Sequence, residues 1–235
     1  MQIVRFCAAP LCALLLFVPV AGAAQLTEGF NNIASLPGSG WATVNNSAPA
    51  GSTAWFQGTA AVFGAESGGP DSYIAANFNA AAFSGNISLW LITPVVTLDN
   101  GINLSFFTRT EFPQVAADRL EVRASTNGSS TNAGSSDTSV GDFTNLLLVI
   151  NPSVTVAGYP GNWTQFTATI SGLAGPVSGR FAFRYSVGDT STNADYIGID
   201  SVSVSSPVPE PSSLGFGLAG LLIFTSVAAR RRANA

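Results

Sequence analysis

Arg-Phe-Ala-Phe-Arg-Tyr-Ser-Val, residues 180–187, alternates large apolar side chains with small or polar ones. Successive side chains of a β-strand point to opposite faces, so the alternating residues of this octapeptide separate into two sets. One face carries Phe181, Phe183, Tyr185 and Val187, and the other carries Arg180, Ala182, Arg184 and Ser186. This period of two predicts a strand with one face in a hydrophobic core and the other in solvent.

On both sides of this strand, the chain continues in short stretches of the same character. Six of them have apolar or alternating patterns of strand length: residues 73–78, 104–109, 119–124, 146–150, 164–170 and 196–204. Turn-forming Gly, Pro and Asn residues separate them, and no segment between the two chain ends keeps a helical period of 3.6. Many short strands joined by turns predict an all-β domain, folded as a β-sandwich.

Residues 125–141 interrupt the strand pattern with a run rich in Ser, Thr, Asn and Gly. Such a composition has little apolar surface to bury and offsets little of the entropy that is lost on ordering. We expect a mobile loop here, lying between two strands of one domain.

The first 24 residues have the pattern of a secretory signal peptide. Arg5 precedes an apolar core over residues 6–20, and the small residues 21–24 suit cleavage by signal peptidase near Ala23 or Ala24. The alternative is an uncleaved N-terminal anchor, which those small residues disfavour. The folded domain is then expected over residues 25–206, a comfortable size for a single domain.

The last residues, 207–235, form a second processed segment. The triplet Pro209-Glu210-Pro211 is followed by an uncharged apolar run over residues 212–229 and by Arg230-Arg231-Arg232. Eighteen helical residues span about 27 Å, just enough for a bilayer core, so we expect a short transmembrane helix at 212–229. The arginines would stay on the cytoplasmic side, which leaves the upstream domain outside.

This order of triplet, helix and arginines resembles the PEP-CTERM sorting signal of Gram-negative bacteria. The resemblance implies recognition by an exosortase, a membrane-embedded transpeptidase that would cut near Pro209–Pro211. The protein would be anchored only transiently in the inner membrane, and would then reach the cell surface or the extracellular matrix. The alternative is a permanent C-terminal anchor in which the Pro-Glu-Pro triplet is incidental.

Composition excludes most catalytic chemistry for the exported part. The chain has no lysine or histidine, and both cysteines, Cys7 and Cys12, lie in the signal peptide. Catalysis by Ser-His-Asp, Cys-His or Schiff-base mechanisms is therefore impossible, and so are zinc sites built from His and Cys. Between residues 25 and 209, five arginines face twelve acidic residues, a net charge of −7. Nucleic acid is thus an unsuitable partner, because phosphate binding needs a basic surface.

A second resemblance covers residues 26–205. Its motifs follow in order: Glu28-Gly29-Phe30-Asn31, Leu36-Pro37 with Trp41, Trp90-Leu91-Ile92-Thr93-Pro94, Asp118-Arg119-Leu120-Glu121-Val122, Asp142-Phe143, Trp163, Phe181-Ala182-Phe183-Arg184-Tyr185, and Ile197-Gly198-Ile199-Asp200-Ser201-Val202. They resemble the choice-of-anchor J domain, which is similar to the cleaved-adhesin domains of secreted proteases. The resemblance implies a jelly-roll β-sandwich with the character of an adhesin or a carbohydrate-binding module and no catalysis. We expect an adhesive or structural module; recognition of extracellular glycans and a passive matrix protein without a ligand are the two alternatives for it.

The competing interpretation is an enzyme that acts on matrix polysaccharide through paired carboxylates, as glycosidases do. Glu111, Asp118 and Glu121 are the nearest cluster of acids in the sequence. Glu121 alternates on one strand face with Arg119 and Arg123, which is typical of a solvated charged face. We therefore expect no catalytic residues.

A structural calcium ion is a further expectation, because hard cations take carboxylate and carbonyl oxygens. The jelly-roll resemblance places such an ion where the first strand meets the last, and points to Glu28 and Asp200 as ligands. Asp200 lies in an apolar strand, where an isolated charge would be very costly. The alternative partners for its carboxylate are an arginine or a set of backbone N–H groups.

Aromatic side chains are the remaining candidates for ligand binding, because an indole face can stack on a sugar ring. Trp55 and Phe56 lie in a loop rich in Gly, Ala and Ser, and we expect this pair at the surface as a glycan platform. Two other tryptophans are expected in the core. Trp90 is flanked by apolar residues, and for Trp163, which follows Gly161-Asn162 at a strand entrance, the family resemblance implies packing there.

Overall fold

Thirteen β-strands build residues 24–207, the part of the chain that the computed structural model describes. They are β1 (Ala24–Glu28), β2 (Ala42–Asn45), β3 (Ala48–Ala50), β4 (Phe56–Gln57), β5 (Ile74–Asn77), β6 (Ala81–Ile92), β7 (Val96–Leu98), β8 (Asn103–Thr110), β9 (Leu120–Ser125), β10 (Asn145–Ile150), β11 (Thr164–Thr169), β12 (Val177–Val187) and β13 (Tyr196–Ser205). The helical elements of this range are three 3₁₀ turns: Ile33–Ser35, Pro37–Ser39 and Phe78–Ala80. The seven strands predicted from residue patterns correspond to β5, β8, β9, β10, β11, β12 and β13.

The strands form two antiparallel sheets that pack face to face. One has the order β11-β8-β13-β5-β4, with β1 also paired to β13. The other has the order β10-β9-β12-β6-β2, with β3 paired to β6 and β7 paired to β12. The main core lies between the sheets and contains residues from both, such as Phe106 of β8 and Phe183 of β12, whose ring centroids are 4.9 Å apart. The predicted all-β sandwich is confirmed.

Strand β12 occupies the centre of its sheet, between β9 and β6. Its four large apolar side chains all lie in the main core, as the alternation predicts. The opposite face departs from the prediction, because Ala182 and Arg184 are buried as well. Ala182 lies in a second, smaller cluster with Trp90 and Phe143 on the outer side of the sheet, and the Arg184 guanidinium lies over the Trp90 ring.

The loop 126–144 covers that outer face. Phe143 is fully buried against Trp90, with ring centroids 5.6 Å apart, and Ala133 is buried beside them. The Asp142 carboxylate organises the loop by accepting hydrogen bonds from Ser130 Oγ at 2.5 Å and Asn127 Nδ2 at 2.9 Å. The expectation of a mobile segment at 125–141 is therefore wrong in this structure, because a few apolar residues and many local hydrogen bonds anchor a polar sequence.

One end of the sandwich holds both termini of the described chain, and the other end is formed by three loops. Ala24 of β1 pairs with Ser205 of β13, so both ends of the described chain leave the domain together, at what we call the tail end. The opposite end, the loop end, is built by the loops 111–119, 151–163 and 188–195. Backbone hydrogen bonds join these three loops, from Thr110 N to Pro160 O at 2.8 Å and from Ala194 N to Ala117 O at 2.9 Å.

Two expectations fall on residues that the structure does not describe. The signal peptide at 1–24 lies almost wholly outside the described range, and the transmembrane helix at 212–229 with its basic residues 230–232 lies entirely outside it. Within residues 24–207, no helix has the length and apolar character that a membrane crossing requires.

Candidate functional site

Asp200 lies where β13 changes its neighbour. Residues 196–199 of β13 pair with β5, whereas residues 202–205 pair with β1 on the same side. The pairing with β8 on the other side shifts register between Asp200 and Ser203, and Ser201 adopts a left-handed backbone with φ of 50°. This irregularity lies next to the pairing of β1 with β13, where the jelly-roll resemblance implies a calcium site, but Asp200 does not line the cleft found there.

The Asp200 carboxylate is buried and accepts three backbone hydrogen bonds. Its Oδ2 accepts from the N–H groups of Glu66 at 3.0 Å and Ser67 at 3.1 Å, and its Oδ1 accepts from Ser201 N at 2.6 Å. Burial raises the pKa of Asp200 to about 6, although these N–H groups pull it the other way and the nearby Glu66 carboxylate adds to the rise. The buried charge is thus satisfied by backbone N–H groups, one of the two alternatives to a metal ion.

Glu28, the other predicted calcium ligand, opens onto a cleft of about 500 Å³ at the same junction. Its Oε1 accepts a hydrogen bond from Phe30 N at 2.8 Å. Oxygen-bearing side chains line the rest of the cleft: Thr27, Asn31, Ser201 and Ser203. Carboxylate, amide and hydroxyl oxygens are suitable ligands for a hard cation.

The fit to calcium differs between the two predicted ligands. Glu28 lines the cleft together with side chains that carry hard oxygen ligands. The Asp200 oxygens instead face N–H donors, which repel a cation. Within residues 24–207, no group of three Asp, Glu, His or Cys side chains is arranged to hold a metal ion. The calcium ion therefore stays a prediction, centred on Glu28.

The predicted glycan platform at Trp55 and Phe56 is not an open surface. Trp55 is only 6% exposed and lines an apolar cleft of about 390 Å³ together with Trp41 and Leu36. Phe56 is half-buried and packs edge-on against Tyr196, with ring centroids 5.7 Å apart. The expectation of surface exposure is wrong because β4, which begins at Phe56, pairs with β5, and the two rings pack on opposite faces: Trp55 in the main core and Phe56 against the cluster of Phe63, Tyr73 and Tyr196. Glycan binding by Trp55 stays a prediction, and its site would be the apolar cleft that Trp55 lines.

The other two tryptophans differ in burial. Trp90 is fully buried under the loop 126–144, and the Arg184 guanidinium lies 5.2 Å from its ring centroid. Trp163 is half-buried, packs edge-on against Phe63, and donates a hydrogen bond from Nε1 to Gly64 O at 2.8 Å. The expected core packing thus holds fully for Trp90 and in part for Trp163.

Glu121 is buried at the centre of an arginine cluster. Its carboxylate pairs with Arg119 at 2.6 Å, Arg123 at 2.7 Å and Arg184 at 3.3 Å. Burial alone would raise the pKa of Glu121, but the hydrogen bond from Arg123 and the charges of the three arginines outweigh burial and lower it. The expectation of a solvated charged face is wrong here, because the loop 126–144 closes over this part of the sheet.

Asp118 has a separate set of partners. It is fully buried, accepts hydrogen bonds from Tyr185 OH at 2.5 Å and Asp195 N at 2.8 Å, and makes a 2.5 Å contact with Thr110 Oγ1. Burial raises the pKa of Asp118 in spite of these donors, and the Asp195 carboxylate adds to the rise. Asp118 and Glu121 share no hydrogen-bond partner and Glu111 makes no side-chain hydrogen bond within residues 24–207, so the three acids form separate sites.

The C-terminal residues match a family model described as the PEP-CTERM protein-sorting motif, over residues 207–232. The chain carries a PEP-CTERM sorting motif. The match spans Pro209, Glu210, Pro211 and the three arginines, and it begins two residues after β13 ends. The recognition of this signal in the sequence is confirmed. No curated protein matches the chain.

The sandwich upstream of the PEP-CTERM motif is similar to solved cleaved adhesin domains of Lys-gingipain. The K1 domain, from Porphyromonas gingivalis W83, is 24% identical with a TM-score of 0.52, and the match covers 79% of this chain and 99% of that one. The K2 domain is 18% identical with a TM-score of 0.53, covering 77% and 98% of the two chains. The K3 domain, also from that organism, is 23% identical with a TM-score of 0.50, covering 79% and 100%. At these identities the similarity establishes the fold; the choice-of-anchor J label stays a prediction.

Proposed function

We propose that this chain is an exported, non-catalytic protein that an exosortase sorts to the cell surface or the extracellular matrix of a Gram-negative bacterium. There its β-sandwich acts as an adhesive or structural module that recognises extracellular polysaccharide. The observation that carries the proposal is the PEP-CTERM motif at residues 207–232, which directly follows a folded domain.

The position of the motif supports this proposal physically. Strand β13 ends at Ser205 on the tail end of the sandwich, so the Pro-Glu-Pro triplet follows the folded domain by only a few residues. Because prolines at 209 and 211 disfavour a helix, we expect the triplet to be accessible to a processing enzyme. The apolar run at 212–229 would hold the chain in the inner membrane until cleavage, and signal peptidase would remove the N-terminal segment.

The test is the mass and location of the mature protein in a Gram-negative host that carries an exosortase. We expect the full-length gene to yield an exported product that lacks both the first residues and the apolar tail. Glu210→Ala, within the triplet, should leave an uncleaved, membrane-bound form, whereas the control Glu111→Ala should be processed like the wild type. An intact chain of full mass in the cytosol would refute the proposal.

We also propose that a calcium ion binds in the cleft at the junction of β1 and β13, with Glu28 as its carboxylate ligand. The set of hard oxygens around Glu28 supports this site. An ion there would join the first strand to the last, so its contribution is expected in the stability of the whole sandwich.

A further inference from the structure

The loop end carries most of the large apolar side chains that the described domain exposes. Phe112 is 75% exposed, Val115 is 78% exposed and Val156 is 56% exposed. Phe83, which is 92% exposed, belongs to the same end, because Thr190 of the loop 188–195 hydrogen-bonds to the Phe83 carbonyl at 2.6 Å. Exposed apolar residues scattered singly need no explanation, but several at one end indicate an interaction surface.

A groove of about 330 Å³ runs between two of these loops, beside Phe112. The Phe112 ring rests against Gly161, where an added Cβ would lie 3.1 Å from a ring atom, so this glycine leaves room for the ring. Gln114 and Asn162 bring two side-chain amides to the groove. The Gln114 Nε2 is buried and donates to no acceptor within residues 24–207, an arrangement that is costly unless a partner is supplied.

These features together match the chemistry of an uncharged sugar. An open aromatic ring offers an apolar face to the C–H groups of a pyranose, and each amide can both donate to and accept from hydroxyl groups. None of the side chains that line the groove is charged, which disfavours a ligand that depends on a formal charge. Two half-buried charged side chains flank the groove: Glu111 precedes Phe112 in the loop, and Arg109 donates from Nη2 to the Gly161 carbonyl at 2.7 Å. Their charges are opposite, so the surroundings of the groove favour neither an anionic nor a cationic ligand.

We propose that the loop-end groove, formed by Phe112, Gln114 and Asn162, binds a neutral polysaccharide. This inference rests on the proposed surface function and names the ligand class and the residues that serve it. The groove also has a suitable position: the sorting motif leaves at the tail end, so a domain held there presents the loop end away from its attachment.

The test uses the mature protein as cells export it, applied to immobilised neutral mannan, galactan and xylan, to the anionic polysaccharide alginate, and to phosphatidylcholine vesicles. We expect binding to at least one neutral polysaccharide and none to alginate or vesicles. Phe112→Ala should weaken that binding about tenfold, since loss of one aromatic stacking contact costs up to about 1.4 kcal/mol. Asn162→Ala should weaken it several-fold.

Phe83→Ala is the matched control, because it removes a more exposed ring from the same end without touching the groove. It should bind like the wild type, and unchanged circular dichroism of all variants establishes that they fold. The assignment is overturned if Phe112→Ala and Phe83→Ala bind equally well, if only vesicles or alginate are bound, or if no polysaccharide is bound. Any of these results leaves the sorting proposal intact, because export and tail cleavage are measured separately by mass and cell fractionation.

Discussion

At the scale of single residues, the hydrogen bonds around Asp118 indicate whether its carboxyl group carries a proton. Thr110 Oγ1 lies 2.5 Å from Asp118 Oδ2 and 2.9 Å from Tyr196 O, yet a hydroxyl has one hydrogen for these two acceptors. A proton on Asp118 resolves the conflict, because the acid then donates to Thr110 and Thr110 donates to the Tyr196 carbonyl. Burial is also the chief cause of a raised pKa of Asp118, a shift that favours the protonated form.

We therefore predict that Asp118→Asn folds well, since an asparagine amide can donate to Thr110 in place of the acid proton. Because the folded pKa is raised, the stabilising contribution of Asp118 is fully present below its unfolded pKa of about 4 and is lost as pH rises through the folded value. The unfolding free energy of the wild type should fall relative to Asp118→Asn as pH rises above about 4. Urea denaturation at a series of pH values measures this difference, and parallel profiles would contradict it.

Glu121 presents the opposite case, a buried carboxylate that stays charged. Three arginines surround it, and removing the negative charge would leave their positive charges facing one another. We predict that Glu121→Gln lowers the free energy of unfolding by roughly 3 kcal/mol, the cost of breaking a buried ion pair from one side. Urea denaturation measures it. The control Glu111→Gln, at a half-buried acid, should change the free energy of unfolding by less than about 0.5 kcal/mol. Similar losses in both variants would contradict the role assigned to the Glu121 charge.

At the scale of elements, the sequence predicts strands wherever alternation is strong. It does not predict β6, the longest strand, whose first half reads Ala-Ala-Phe-Ser-Gly-Asn. Alanine and glycine have low strand propensity, and Phe83 points outward with a positive φ of 55°, so the local pattern is broken. Pairing with β12 and β3 holds the strand in place, and such long-range pairing is invisible in a local pattern.

The loop 126–144 and the loop-end groove also depend on contacts between residues far apart in the sequence, which local patterns do not predict. Composition marks residues 125–141 as a loop, within the observed loop 126–144, but the contact of this loop with Trp90 depends on where the sheet face lies in space. Phe112, Gln114 and Asn162 come from loops about fifty residues apart, so no spacing in the sequence indicates that they meet. The resemblance points to Glu28 and Asp200 as a pair, but only Glu28 lines the cleft between β1 and β13, whereas the Asp200 carboxylate bonds to the backbone of residues 66 and 67.

The Asp142 carboxylate gives a prediction for this loop as an element. Asp142→Ala removes acceptors for Asn127 and Ser130, so the loop should detach and be cut by a nonspecific protease within residues 126–141. Wild-type protein should resist under the same conditions. The control is Asp189→Ala, which removes a comparable exposed carboxylate that bonds only within its own loop, to Ser191. Equal resistance of wild type and Asp142→Ala would show that apolar contacts alone hold the loop.

At the scale of the whole molecule, calcium at Glu28 would link the first strand to the last. The proposed extracellular location suits a weak site, so at about 10 mM calcium we expect a stabilisation of roughly 1–3 kcal/mol. Thermal melts with calcium and with a chelator should then differ for the wild type and for Glu111→Gln, and should coincide for Glu28→Gln. If the wild type has the same melting midpoint with calcium and with a chelator, the proposed calcium site is wrong.

The position of β13 has a mechanical consequence. This strand is flanked by β8 on one side and by β5 and β1 on the other, and the sorting motif continues directly from its end. A tension applied between residue 207 and the loop end runs parallel to β13, and antiparallel hydrogen bonds lie perpendicular to that direction. The bonds on both sides must then shear together rather than break one by one, so we expect the domain to resist forced unfolding along this direction.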